Sequence, residues 1–85
     1  MRFYRRLRDL RQDHDLAQKE VAAWLGIDQR VYSTYETGKR EIPLHHIETL
    51  ADRYRTSVDY ILGRTDRVQP YPPSAFDGHF DGYNQ

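Results

Sequence analysis

Apolar and polar positions near the start of the chain follow the 3.6-residue period of an α-helix. Phe3, Leu7 and Leu10 are spaced by four and three residues, and arginines fill most of the positions around them. A helix with this spacing presents apolar residues on one face and charged residues on the other. The pattern predicts an amphipathic first helix whose apolar face, Phe3 included, packs on the core.

Two short helices separated by a tight turn are predicted next. The second helix spans about Gln18 to Leu25 and ends at Gly26, because glycine adopts the left-handed conformation of a helix C-cap at low cost. The third helix spans Gln29 to about Thr37 and begins at Asp28, whose carboxylate is a good N-cap. Only Ile27 separates the two caps.

A fourth helix is predicted after Pro43, because apolar residues again recur at helical spacing. These residues are Leu44, Ile47, Leu50, Ala51 and Tyr54. Ser57 is placed to cap a short fifth helix that contains Ile61 and Leu62. Since no segment shows the two-residue alternation of a β-strand, the predicted fold class is all-α.

The folded body is expected to end near Gly63. Residues 1–63 contain 17 Ile, Leu, Val, Met, Phe and Trp, whereas residues 64–85 contain 3 of them and 3 of the 4 prolines. The second composition buries too little apolar surface to offset chain entropy. We therefore predict one domain over residues 1–63 and an extended or flexible C-terminal arm over residues 64–85, which carries a small repeat at 76–83.

Composition excludes several classes of protein. The 85 residues include no cysteine, which rules out disulfide scaffolds, zinc ribbons and thiol nucleophiles. The longest apolar stretch, residues 21–25, is far short of the roughly 20 residues of a membrane span. A cytoplasmic protein with no membrane partner is expected.

Charge gives a weak indication of where a partner binds. Lys+Arg and Asp+Glu both number 13, so the formal net charge is zero. Residues 1–40 hold 9 basic against 6 acidic residues, however, and residues 41–63 hold 2 against 4. The first half is therefore modestly positive, as a surface that faces an anionic polymer would be.

No enzymatic or metal chemistry is expected. The sequence has no phosphate-binding glycine loop and no nucleophile beside a base. The four histidines, His14, His45, His46 and His79, lack metal-ligand spacing with acidic partners, because adjacent His45 and His46 should point to different helix faces. We predict no cofactor and no metal.

Three motifs resemble the lambda-repressor-like (XRE-type, phage Cro and repressor) helix-turn-helix family. They are LAQKEVAAWLGI at 16–27, YETGKR at 35–40 and SVDYILG at 57–63. The resemblance covers residues 3–63 and implies a five-helix domain whose second and third helices form the DNA-binding pair. It implies a sequence-specific regulator, most simply a repressor, that binds double-stranded DNA of the nucleoid as a homodimer on a two-fold operator.

The exposed positions of the third helix are the candidates that read bases. They are Gln29, Arg30, Ser33 and Thr34. Glutamine pairs with adenine and arginine with guanine through two hydrogen bonds, while threonine offers a hydroxyl and a methyl group. Without the motif, the same polar side chains would be interpreted as an ordinary solvated face.

The resemblance also assigns residues that hold the domain in place on DNA. Gln18, Lys39 and Arg40, with the amides after the third helix, are expected at backbone phosphates. Glu36 is expected to pair with Arg11 of the first helix as a structural ion pair, and not to act as a catalytic carboxylate. Most other arginines of the first helix are expected to be solvated.

Two positions depart from the family pattern. Ala17 stands where Ser or Thr commonly caps the second helix, a loss worth roughly 0.5 to 2 kcal/mol that predicts a frayed start. Asp28 replaces the Ser or Thr that often touches a phosphate, and its charge would repel the DNA backbone.

Trp24 leaves a second function open. It occupies a position that the family usually fills with a polar residue, and the arm offers Tyr71, Phe76, Phe80 and Tyr83 as anchors for a partner. The alternative is an antitoxin, or another module that binds a protein partner and autoregulates through the same helix-turn-helix. The simpler interpretation has Trp24 covered by the protein's own arm or by its dimer mate.

Overall fold

Five helices follow one another in the predicted order. They are α1 (Arg6–Asp13), α2 (Gln18–Leu25), α3 (Gln29–Thr37), α4 (Leu44–Tyr54) and α5 (Val58–Leu62). The computed structural model describes residues 3–72, and every regular secondary-structure element in that range is an α-helix. The all-α prediction is confirmed. None of the helices in this range is long and apolar enough to cross a membrane.

Side-chain caps fix where two of the helices begin. The Asp28 carboxylate accepts a hydrogen bond from the Arg30 amide at 2.7 Å and so starts α3. The Ser57 hydroxyl accepts one from the Tyr60 amide at 2.9 Å and starts α5. Each of these side chains satisfies an amide that has no partner within its helix, as predicted from the sequence.

α2 begins without a cap from its own N-cap residue, since Ala17 has no polar side chain. The Glu20 carboxylate instead accepts a hydrogen bond from the Ala17 amide at 2.8 Å. This is one half of a capping box, and it compensates in part for the missing Ser or Thr. The first turn of α2, where the sequence predicted fraying, is helical from Gln18 onward.

The core is formed by residues from all five helices and from the segments that flank them. Its buried members are Tyr4, Leu7, Leu10, Val21, Ala22, Tyr32, Tyr35, Ile42, Ile47, Leu50, Ala51, Tyr54 and Ile61. α2 packs on α3 and α4, and α5 packs on α1 and α4. This arrangement anchors one face of α3 and leaves the opposite face to solvent.

Two apolar residues that were expected to face the core are exposed. Phe3 is 57% exposed, because α1 begins only at Arg6 and the helical spacing does not extend back to residue 3. Tyr4 is the buried residue in that segment, and Phe3 lies against Gly38 at the end of α3. Leu44 is 58% exposed, since it occupies the first position of α4.

The first part of the arm folds back on α1 and α5 through Arg6. The Arg6 guanidinium donates to the Tyr60 carbonyl at 2.8 Å and to the Thr65 carbonyl. It also donates to the Asp66 carboxylate at 2.7 Å, and its central carbon lies 4.0 Å from the centre of the Tyr60 ring. Arg6 is therefore an anchor of the arm and not simply a solvated arginine.

Two further contacts extend this attachment along the arm. The hydroxyl of buried Thr56 donates to the Val68 carbonyl at 2.5 Å, and the Tyr71 hydroxyl donates to the Asp59 carboxylate at 2.8 Å. Residues 64–71 thus run beside α5. The 76–83 repeat, with the anchors predicted at Phe76, Phe80 and Tyr83, lies outside the described residues.

Candidate nucleic-acid interface

The predicted base-reading residues share one face of α3. Gln29 and Arg30, in its first turn, are exposed, and Ser33 and Thr34, one turn later, are half-buried. Positions separated by three and four residues lie on the same side of a helix, so the four side chains form one continuous strip. Buried Tyr32 belongs to the opposite face and holds α3 to the core.

Within this strip the side chains differ in the contacts that they already make inside the protein. The Thr34 hydroxyl donates to the Val31 carbonyl at 2.5 Å, so Thr34 offers its methyl group and oxygen lone pairs to a partner. The Arg30 guanidinium lies 3.8 Å from the Asp28 carboxylate, and these side chains are 96% and 61% exposed. Such an exposed ion pair is weak, so Arg30 remains available.

Lys39 and Arg40 are exposed directly after α3. The Arg40 amide, however, donates to the Thr34 carbonyl at 3.1 Å and closes the end of the helix. Of the amides after α3 that were predicted to face a phosphate, the Arg40 amide is therefore committed to the helix cap. The charged side chains of Lys39 and Arg40 are what this turn presents to an anion.

The structure brings Arg11 of α1 and Glu36 of α3 together. Arg11 Nε donates to Glu36 Oε2 at 2.6 Å, and Arg11 Nη2 donates to Glu36 Oε1 at 3.0 Å. The Glu36 side chain is 0% exposed and the Arg11 side chain 14% exposed. A two-point contact of this kind fixes both the distance and the angle between the two helices.

Both members of this pair stay charged near neutral pH. Burial by itself raises the pKa of Glu36, but the hydrogen bonds it accepts, above all from Arg11, outweigh burial and hold its pKa below the ordinary value. The same hydrogen bond raises the pKa of Arg11 further. Glu36 is therefore not a proton donor or acceptor in the physiological range.

Gln18 lies on the same carboxylate. Its Nε2 donates to Glu36 Oε1 at 3.1 Å, a contact that sequence reasoning missed when it assigned Gln18 to a phosphate alone. Arg8 also approaches, with its Nε 3.9 Å from Glu36 Oε1. The sequence offered several polar residues that could donate to Glu36. Only the three-dimensional placement of α2 against α3 selects Gln18 among them.

Trp24 is packed against α4. Its ring meets the Tyr54 ring edge-on at 5.4 Å, and the Arg53 guanidinium lies 5.2 Å from the centre of the indole. His14 contacts the same Tyr54 ring at 4.9 Å. The arm was expected to cover Trp24, and the hydrogen bonds of residues 64–71 are made to α1, α5 and the turn before α5.

His45 and His46 were predicted to point to different helix faces, and their rings lie 4.1 Å apart at an angle of 44°. Both residues belong to the first turn of α4, where their side chains turn toward one another. Burial lowers the pKa of His46. Between residues 3 and 72 we find no cluster of three or more His, Asp or Glu side chains suited to a metal ion, and His79 lies outside that range.

Comparison with known proteins gives a family match over most of the chain. A family model described as a helix-turn-helix domain matches residues 2–61. No solved structure matches the chain significantly.

The chain is also similar to curated bacterial and phage proteins. It is 38% identical to the uncharacterized HTH-type transcriptional regulator YobD of Bacillus subtilis (strain 168), over 95% of this chain and 80% of that protein. It is 40% identical to the cryptic phage CTXphi transcriptional repressor RstR of Vibrio cholerae, over 75% of this chain and 58% of that protein. It is 30% identical to the antitoxin PezA of Streptococcus pneumoniae, over 75% of this chain and 40% of that protein.

These matches span the region in which α2 and α3 form a helix-turn-helix, with α3 exposed on one face and held by Glu36 on the other. The chain belongs to the lambda-repressor-like (XRE-type) helix-turn-helix family.

Proposed function

We propose that this protein is a sequence-specific transcriptional repressor that occupies a two-fold operator in the cytoplasm as a homodimer. The observation that carries the proposal is the strip on α3 formed by exposed Gln29 and Arg30 and half-buried Ser33 and Thr34. A helix fits the major groove, and these side chains can hydrogen-bond to base edges there. Repression by occupancy requires no catalytic step.

Residues beside this strip supply the contacts that carry no sequence information. Lys39 and Arg40 follow α3 directly and are exposed, so they are suited to flanking phosphates. Gln18 opens α2, the helix that crosses the DNA backbone in this type of domain. The net charge of +3 over residues 1–40 favours the approach of this side to DNA.

The homodimer is proposed because one short recognition helix reads too few base pairs to select a site in a genome. Two-fold pairing doubles the number of base pairs read without new sequence, and it makes the operator palindromic. Two copies of α3 would then lie about 34 Å apart, one turn of DNA.

Selection of bound sequences from random double-stranded DNA tests this function directly. We expect a palindromic consensus whose half-sites are separated by about 10 base pairs, and a dimer mass for the protein in sedimentation. Absence of any enriched sequence would contradict the role as a sequence-specific repressor. A single, non-repeated half-site would contradict the dimer alone.

An antitoxin is the second candidate, favoured by the similarity to PezA and by the semi-exposed Trp24. In this function the chain binds a protein partner and uses the helix-turn-helix to regulate its own expression. A toxin encoded beside it, and co-purification of the two as a complex, would support the antitoxin. An isolated gene with inverted repeats upstream would support the simple repressor.

A further inference from the structure

Gln18 is hydrogen-bonded to a carboxylate that is cut off from solvent. The Glu36 side chain is 0% exposed, and its Oε1 accepts from Gln18 Nε2 at 3.1 Å and from Arg11 Nη2 at 3.0 Å. An ionised carboxylate can only accept hydrogen bonds. Gln18 must therefore turn its NH2 group toward Glu36, so the orientation of this amide is fixed by the buried charge.

The start of α2 is held at a second point close by. Arg11 Nη1 donates to the Leu16 carbonyl at 3.0 Å, two residues before α2 begins. Arg11 is itself bound to Glu36 through its other nitrogens. The last turn of α3 therefore holds the first turn of α2 by two routes, directly through Gln18 and indirectly through Arg11.

We propose that Gln18 is a positioning residue for DNA recognition, which binds Glu36 and thereby fixes the start of α2 relative to the reading face of α3. An amide nitrogen carries two hydrogens, and Glu36 accepts from one of them, so the second can still donate to a backbone phosphate. The inference rests on the proposed function. It extends that function by giving Gln18 control over base preference, although Gln18 itself contacts no base.

A positioning role and a simple phosphate contact differ in a measurable way. Loss of a phosphate contact weakens binding to every sequence alike, because phosphates carry no sequence information. Loss of a positioning contact shifts α3 against the base edges, so binding to the preferred sequence suffers most. The ratio of the two affinities therefore distinguishes the roles.

The test uses Gln18→Met, which keeps the length of the side chain and removes its donor, in the full chain. Gln12→Met is the matched control, since Gln12 is an exposed glutamine of α1. Affinities are measured for a duplex carrying the operator selected by the wild-type protein and for a random-sequence duplex of equal length. We expect Gln18→Met to lower the operator preference about tenfold, as for partners within one hydrogen-bond network, and Gln12→Met to leave it unchanged.

A second measurement does not involve DNA. Because the bond from Gln18 helps to lower the pKa of Glu36, that pKa should rise in Gln18→Met and stay unchanged in Gln12→Met, as followed by carboxyl-carbon NMR titration. Gln18→Asn, whose amide is one methylene shorter, should reproduce both effects.

Each outcome decides the question. If Gln18→Met lost affinity equally on the two duplexes, the positioning role would be overturned and Gln18 would be a plain phosphate contact. If the pKa of Glu36 did not change in Gln18→Met, the hydrogen bond on which the inference depends would be refuted. A wild-type protein with no operator preference would overturn the proposed function together with this inference. An intact preference in Gln18→Met would overturn the inference alone.

Discussion

Arg11 spans from α1 to Glu36 on α3 and binds both of its carboxylate oxygens, at 2.6 and 3.0 Å. The carboxylate is fully enclosed, so it depends on these donors and on Gln18 for the solvation that water would otherwise provide. The pair joins the helix that bears the base-reading residues to the rest of the domain. Its removal should therefore affect stability and DNA binding together.

Glu36→Ala should lower the free energy of unfolding by about 3 kcal/mol or more, because it leaves the poorly exposed Arg11 without its partner. For a domain of this size that corresponds to a fall in melting temperature of at least about 12 °C. Glu48→Ala, which removes an exposed carboxylate of α4, is the control and should change little. Similar melting temperatures for the two variants would contradict a structural role for the pair.

Stability should also fall in acid because of Glu36. Its folded pKa is lowered, so it contributes stability that is fully present above the unfolded value of about 4.3 and is lost as the pH falls through the folded pKa. Urea unfolding measured between pH 7 and pH 3 should show this loss below about pH 4.3. The loss should be smaller in Glu36→Gln and unchanged in Glu48→Gln; identical profiles for all three proteins would refute the assignment.

Arg30→Ala should weaken binding to the selected operator by roughly 1 to 3 kcal/mol and relax preference at one base position. Lys39→Ala should instead weaken binding to all sequences alike. It should also reduce the slope of the logarithm of the binding constant against the logarithm of the salt concentration by about one. Quantitative binding assays on operator and random duplexes at several salt concentrations separate the two. If Arg30→Ala lost affinity equally on both duplexes, Arg30 would not be a base contact.

Gly38→Ala should destabilise the domain more than Gly26→Ala. Both glycines have left-handed φ angles, +80° and +68°, so each substitution costs about 1–2 kcal/mol in backbone strain. A Cβ at Gly38 would also lie 3.1 Å from Phe3 Cδ1, whereas one at Gly26 meets no atom within 4 Å. Thermal unfolding measures the difference, which should shrink when Phe3→Ala is added to Gly38→Ala; a difference that persists would have another origin.

A chain ending at Arg64 should be less stable than one ending at Pro72, by about 1–2 kcal/mol, because buried Thr56 loses the Val68 carbonyl that it binds. The chain ending at Pro72 keeps that contact and those of Arg6, and therefore serves as the matched control. Tryptophan emission should be the same in both, since Trp24 packs on Tyr54 and Arg53. A shifted emission in the shorter chain would show that the arm does reach Trp24.

The sequence by itself determined the helices and their order. Apolar spacing marks the buried face of a helix, and Asp28, Ser57 and Gly38 mark helix ends through interactions with their immediate neighbours. Such signals are local, so they can be interpreted before the chain folds. The motif at 35–40 also indicated the partner of Glu36, but only through resemblance to a family.

Only the tertiary structure decided contacts between distant segments. Gln18 meets Glu36, 18 positions later, and Arg6 meets Asp66, 60 positions later, and no local pattern distinguishes either contact from simple solvation. Phe3 kept helical spacing with Leu7, yet the helix starts at Arg6 and Phe3 rests on Gly38. Polar side chains have many possible partners in sequence, and packing of the core selects which of them come within hydrogen-bonding distance.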